Sequence, residues 1–306
     1  MIAEPRRERA VRSGAVALIV FEPPHLLFGD PFFSRLIGGV DEVLHQRGMQ
    51  LVLLAPQSMT DTEKAGNYVA AGHADGAMLV SFPSAHPLPA QLAAHNIPVV
   101  IGGRPSQPSL FNFVDVDNVA GAARAIAHLA SGGRRCIATI TGRKDVPAGQ
   151  DRLHGYQQGL EAAGLPADDG LIEAGDFTRE GGARAMRFLL TKRRQLDAVF
   201  CASDLMAAGA YPVLVEAGRK IPADVAIVGY DDDPMALTLH PPLTSVRQPI
   251  EQMGRELAGM VVDAINSPDR PPRKVILSTR LEVRFSSAPL TGGSSYENLG
   301  GGRTSA

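Results

Sequence analysis

Only two of the 306 residues are cysteine, Cys136 and Cys201, and each stands inside an apolar, strand-like run. That excludes a disulfide-stapled scaffold and reads as buried free thiols in a reducing compartment. Charge of one sign is lacking too. The net charge is −2 and the pI about 6.5, so no global basic field is available to hold nucleic acid. No apolar run approaches the length that spans a bilayer. The opening M-I-A-E-P-R-R-E-R-A-V-R has no apolar stretch suited to export. Together these absences predict a cytoplasmic protein.

The usual catalytic signatures are missing as well. There is no G-x-x-x-x-G-K-[ST], no G-x-G-x-x-G after the first strand, no H-E-x-x-H and no G-x-S-x-G. The eight histidines are scattered, without metal-ligand spacing, and no cofactor is expected. Asp204 could pair with Asp231, Asp232 or Asp233 for glycoside hydrolysis, but nothing places a general acid in an apolar setting. A non-enzyme is expected.

What is present is a core and a rhythm. Hydrophobic residues make up 44% and charged ones 20% of the chain, ordinary for a soluble globular protein. Residues 15–21, 50–55, 76–81 and 97–103 are apolar strand-like runs, separated by helical patterns at 32–48, 62–71 and 88–95. Residues 23–31 read as a loop. After the Pro/Ser-rich stretch 105–109 the alternation restarts. Strands are expected at 113–116, 135–141, 171–174, 197–202 and 225–228, with helices at about 118–130, 151–163, 179–190 and 204–217. Alternating β and α elements predict parallel sheets with helices on both faces. Two such halves predict two lobes with a cleft between them. A long helix at 250–266 and an alternating, hairpin-like stretch at 274–285 would return to cover the lobes.

The stretch that organises the candidate site is D-V-A-I-V-G-Y-D-D-D-P at 224–234. A short β-branched run ends in three carboxylates, where an open parallel sheet binds its ligands. Carboxylates accept hydrogen bonds from polyol hydroxyls, although an acidic turn capping a helix would look the same. Polar residues recur at other strand ends: Asp30 with Phe32 and Phe33, then Gly102, Gly103 and Arg104. Further on come Arg143, Asp145, Gln150 and Arg152, and finally Ser203 with Asp204. Such convergence is what a hydrogen-bonding cleft requires. Arg152 with Asp204 and Asp231 could hold adjacent hydroxyls. The plainer alternatives are a surface ion pair for Arg152 and a helix N-cap for Asp204. Phe177, in G-D-F-T, could stack on a sugar ring or pack in the core.

Several segments together resemble the effector-binding core of LacI-family transcription regulators, which is built like a periplasmic sugar-binding protein. They are D-P-F-F-S-R-L-I-G-G-V (30–40), D-G-A-M-L-V (75–80), V-D-V-D-N-V-A-G-A (114–122) and T-G-R-K-D-V-P-A-G-Q-D-R-L-H-G-Y (141–156). C-A-S-D-L-M-A-A-G-A (201–210), D-V-A-I-V-G-Y-D-D (224–232) and P-P-L-T-S-V-R-Q-P (241–249) complete the set. The resemblance runs from about residue 14 to 286.

It implies a two-lobed periplasmic-binding-protein-like α/β fold, each lobe a doubly wound parallel sheet, joined by several crossings. The boundaries expected are a basic linker remnant at 1–13, an N-terminal lobe at 14–114 plus 249–269, a C-terminal lobe at 115–248 plus 270–287, and a disordered tail at 288–306. The effector contacts implied by the resemblance are Phe32, Phe33, Arg152, Phe177, Asp204 and Asp231; Arg104, Arg143 and Asp145, from the strand ends, and Gln248 are expected to join them. The partners implied are a small sugar-like effector, a second copy of the chain, and operator DNA. The DNA would be reached through an N-terminal helix-turn-helix for which the thirteen residues before Gly14 are too few. Gly103 departs from the family, several members of which carry an effector-binding Asp there. The alternative function is a sugar-binding receptor feeding a transporter.

Overall fold

The computed structural model describes residues 12–193 and 195–288. The linker expected at 1–13 and the tail expected at 288–306 therefore lie outside the described residues, apart from 12, 13 and 288. The chain begins with β1 (Ala15–Val20), a wholly buried A-V-A-L-I-V run. A short helix α1 (Pro24–Gly29) and a long one, α2 (Pro31–Gln46), follow. The region read as a loop at 23–31 thus holds a helical turn. Pro24 occupies its first position, where a missing N–H costs nothing. Then come β2 (Gln50–Leu54), α3 (Met59–Tyr68), β3 (Gly76–Val80), α4 (Leu88–Ala94), β4 (Val99–Gly102) and β5 (Asn112–Val116).

The second half runs α5 (Asn118–Ser131), β6 (Ile137–Thr141), α6 (Pro147–Ala162), β7 (Ile172–Ala174), α7 (Arg179–Lys192), β8 (Ala198–Cys201), α8 (Asp204–Glu216) and β9 (Ala226–Asp231). It closes with β10 (Thr244–Arg247), α9 (Ile250–Asn266), β11 (Lys274–Leu277) and β12 (Arg280–Glu282).

These strands form two six-stranded sheets, ordered β11-β5-β4-β3-β1-β2 and β12-β10-β9-β8-β6-β7. All pairings are parallel except β10 with β12. Each sheet carries apolar clusters on both faces. In the first, Leu36, Val40 and Leu257 from α2 and α9 cover one side, and Val69, Leu88 and Leu92 cover the other. In the second, Met186, Leu189 and Leu214 face Ile126, Tyr156 and Leu160 across the strands.

The chain crosses between the sheets after β5, after β10 and between β11 and β12. This corrects two expected boundaries. The one at 114 falls inside β5, which ends the first sheet's alternation at Val116. The stretch at 274–285, expected to be an antiparallel strand or a hairpin, is two strands in two different sheets. Lys274–Leu277 adds parallel to β5, and Arg280–Glu282 pairs antiparallel with β10. Alternating apolar residues mark an edge strand in either arrangement, so periodicity could not separate them.

In each sheet the strand order reverses beside the first strand of its half, between β1 and β3 and between β6 and β8. Loops leaving such a pair part to opposite faces and open a crevice at the carboxyl ends of the strands. The two crevices face each other.

Candidate functional site

A cleft of about 920 Å³, its mouth included, lies between the lobes and is lined from both. The first sheet contributes Glu22, Ser81, Gly103, Arg104 and Asp115 from the ends of four strands. The second contributes Arg152, Phe177, Ser203, Asp231 and Gln248.

Arg152 is its central cation. Proline at the first turn starts α6 and brings the side chain, one turn on, under the ends of β6, β8 and β9. The residue is 5% exposed. Its Nε donates to Asn118 Oδ1 at 2.9 Å, and its Nη1 donates to the Ala202 carbonyl and, at 3.4 Å, to Asp231 Oδ1. The plane lies on the Tyr230 ring, 3.7 Å from its centroid, with Phe177 5.7 Å away. This is a desolvated cation–π arrangement, more favourable than one at the surface. Nη2 donates no hydrogen bond among the described residues.

Asp231 ends β9 with φ at +113°, and Asp232 follows at +53°. Neither is glycine, so both conformations are held against their local preference, as is frequent at binding sites. Gln248 and Arg152 both donate to Asp231 Oδ1, leaving Oδ2 toward the cleft. Burial pushes the Asp231 carboxyl up, opposed by the Arg152 charge. Phe177 has φ +66° and forms a wall; its ring sits so close to Gly142 that a Cβ there would lie 1.9 Å from it. Phe32 and Phe33, in edge-to-face contact at 5.2 Å, form the opposite wall. Arg104 lies half-exposed at the mouth, ion-paired with Asp151.

Three expected contacts are elsewhere. Asp204 is wholly buried behind the cleft. Its Oδ1 accepts from the Ser245 hydroxyl at 2.7 Å and its Oδ2 from the Asp233 N–H at 2.8 Å. It sits at the start of α8, whose cap is Ser203, and Ser203 takes the place at the cleft wall that was expected of Asp204. Arg143 and Asp145 sit at the rim. They pair with each other through two contacts, at 3.1 and 2.7 Å, and Arg143 reaches Glu22 of the other lobe at 3.0 Å. They strap the lobes together rather than line the cleft. A second strap runs from Arg35, which pairs with Glu251 at 2.7 Å and reaches Asp233 at 3.5 Å across the lobes.

Sequence reasoning missed Glu22 and Asp115. Both carried a signal: an acid directly after, or within, an unbroken apolar run, as in L-I-V-F-E and F-V-D-V. Burial pushes Asp115 up to about 7 and Asp30 and Asp233 to about 6, and raises Glu22 as well. A carboxyl raised by folding contributes most stability below its unfolded value and loses it as the pH climbs through the folded one. His86 and His128, whose pKa values burial lowers, act in the opposite sense but are outnumbered. The ligand-free protein is therefore expected to resist urea better at pH 5 than at pH 7.5. A stability that rises over that interval would contradict this assignment.

Two lobes and a polar cleft at opposed strand ends define a periplasmic-binding-protein-like ligand-binding domain, and residues 126–287 match the family profile described as "Periplasmic binding protein-like domain". The chain is 44% identical over 277 residues to the HTH-type transcriptional regulator CelR of Thermobifida fusca, covering 90% of this chain and 82% of CelR. It is 30% identical over 261 residues to the ribose operon repressor of Escherichia coli, covering 84% and 78%. The solved CelR–cellobiose complex matches with a TM-score of 0.88 at 44% identity, covering 90% of this chain and 85% of that one. The chain belongs to the LacI family of transcriptional regulators.

Proposed function

We propose that this domain senses a carbohydrate and reports it by a change in lobe closure. The observation that carries the reading is the pairing of aromatic walls, Phe32, Phe33 and Phe177, with polar groups that keep one hydrogen-bonding position open, Arg152 and Asp231. Aromatic faces take the apolar side of a pyranose ring, and the open acceptors and donor take its hydroxyls. CelR binds cellobiose, which supports a sugar of that size as the first candidate. The chain performs no turnover in this reading.

Closure by the sugar is a population shift, and its extent is limited by the sugar's difference in affinity for the two lobe arrangements. In a homodimer in the cytoplasm, that shift would alter the spacing of two N-terminal helix-turn-helix heads on operator half-sites. Calorimetry against cellobiose, ribose and other neutral sugars tests the reading, and silence across the panel sinks it. Asp231→Ala is expected to weaken binding by about 1–3 kcal/mol, the range for losing a hydrogen bond to a charged partner. Gel filtration is expected to give a dimer, whereas a strict monomer would favour a transport receptor.

A further inference from the structure

Four carboxylates line the cleft, Glu22, Asp30, Asp115 and Asp231, and all are used in the same way. Each ties one oxygen to the protein. Asp30 Oδ1 accepts from the Phe32 N–H at 2.9 Å; Asp115 Oδ1 accepts from the Val116 N–H at 2.8 Å and from Asn118 at 3.2 Å. Glu22 Oε1 takes Ser81 and Arg143, and Asp231 Oδ1 takes Gln248 and Arg152. The second oxygen of each accepts nothing among the described residues. Nor is it sealed inside the protein, as both oxygens of Asp233 are. Against these stand two cations. Arg104 is committed to Asp151, and Arg152 has spent Nε and Nη1. Among the described residues the cleft thus offers four open acceptor oxygens against Nη2 of Arg152 and, at the half-exposed mouth, the two nitrogens of Arg104 that Asp151 leaves.

We propose that the cleft is built for uncharged, hydroxyl-rich guests, and that Asp30 and Asp115 are the specificity residues that turn away phosphorylated sugars. This rests on the carbohydrate reading above and narrows it to one class. A sugar hydroxyl satisfies an open carboxylate oxygen by donating to it. A phosphate group carries between one and two negative charges at neutral pH and offers mainly acceptors. It would bring like charge against buried carboxylates where water screens little. Arg152 offers Nη2 alone rather than the two-nitrogen fork that phosphate sites use, and the charge of Arg104 is already paired with Asp151.

The rejection should depend on pH. Asp30 faces Glu22, Arg152, Asp231 and Asp233; Asp115 faces Asp151, Arg104 and Arg152. Burial raises both carboxyls, to about 6 and about 7. At pH 8 both are ionised and repel an anion. Toward pH 6 both carboxyls take up protons, and the phosphate group, whose second pKa is about 6, loses charge as well, so the repulsion falls.

The test is calorimetry on the full chain at pH 8 and pH 6, using cellobiose, glucose and ribose, each paired with its counterpart phosphorylated on a primary hydroxyl. For whichever neutral sugar binds, its phosphorylated form is expected to bind at least about a hundredfold more weakly at pH 8, with the gap narrowing at pH 6. Asp30→Asn and Asp115→Asn, each checked for folding by thermal melting, should narrow the gap at pH 8 by about tenfold, and either variant alone suffices to read it. Equal binding of a phosphorylated form at pH 8 overturns the proposal and leaves the carbohydrate reading standing. An unchanged gap in the folded variants removes the two residues from the role. No binding by any sugar, charged or neutral, sinks both readings together.

Discussion

Arg152→Ala is expected to lower stability by about 3–5 kcal/mol and to abolish measurable sugar binding, two effects with one physical origin. The guanidinium is the counter-ion of a buried carboxylate and a donor to Asn118 and to the Ala202 carbonyl, and it covers the face of Tyr230. Removing it leaves Asp231 with Gln248 as its remaining donor and leaves two acceptors behind it unsatisfied. A buried polar group deprived of its partner costs the full penalty of its desolvation. Arg152→Lys should recover only part of this. A single ammonium cannot serve Asn118, Ala202 and Asp231 together, nor lie flat on Tyr230. Urea denaturation followed by calorimetry on the folded fraction checks both statements. A variant that loses binding while keeping wild-type stability would show that the arginine serves the guest and not the lobe.

The architecture was legible because the alternation of buried β-branched runs with amphipathic helices leaves few other folds open. The helix expected at 250–266 is the one observed, Ile250–Asn266, since its apolar stripe of Met253, Leu257 and Val261 repeats at helical spacing. The convergence of polar residues at strand ends was legible too, because in a parallel sheet chain direction alone fixes which end of each strand faces the ligand. Which of those residues turn inward was not. Ser203 and Asp204 are adjacent, and a one-residue rotation at the start of α8 decides which sees the cleft and which is buried. Arg143 and Asp145 sit two apart on a loop, and their mutual pairing is a tertiary fact that composition cannot foresee. Asp115 lies inside an expected strand, and so short a run does not say which way an acid within it faces. The structure turns it into the space between the lobes.

That same one-residue distinction makes the Asp204→Ala variant informative. Asp204 does not line the cleft, yet it holds the turn that carries Asp231. The carboxylate fixes the Asp233 N–H on one side and the Ser245 hydroxyl on the other. The Ser245 hydroxyl oxygen in turn accepts from the Asp232 N–H at 3.0 Å, so one side chain holds two consecutive backbone amides, Asp233 directly and Asp232 through Ser245. Substitution by alanine would orphan a buried amide and remove the acceptor of a buried hydroxyl. The expected loss is about 2–4 kcal/mol, moderated because burial and the nearby charges of Asp232 and Asp233 already strain the ionised carboxyl. The positive φ values at Asp231 and Asp232 would lose part of what maintains them, so sugar affinity should fall although no contact with the guest is removed. Asp204→Asn retains an acceptor for one of the two partners and should fall between wild type and alanine in both measurements. Denaturation midpoints and calorimetric affinities are therefore expected to fall together across the series. If affinity collapsed while the midpoint stayed at the wild-type value, Asp204 would have to touch the sugar directly, and its burial behind Gly229 and Ser245 would be the wrong account of its role.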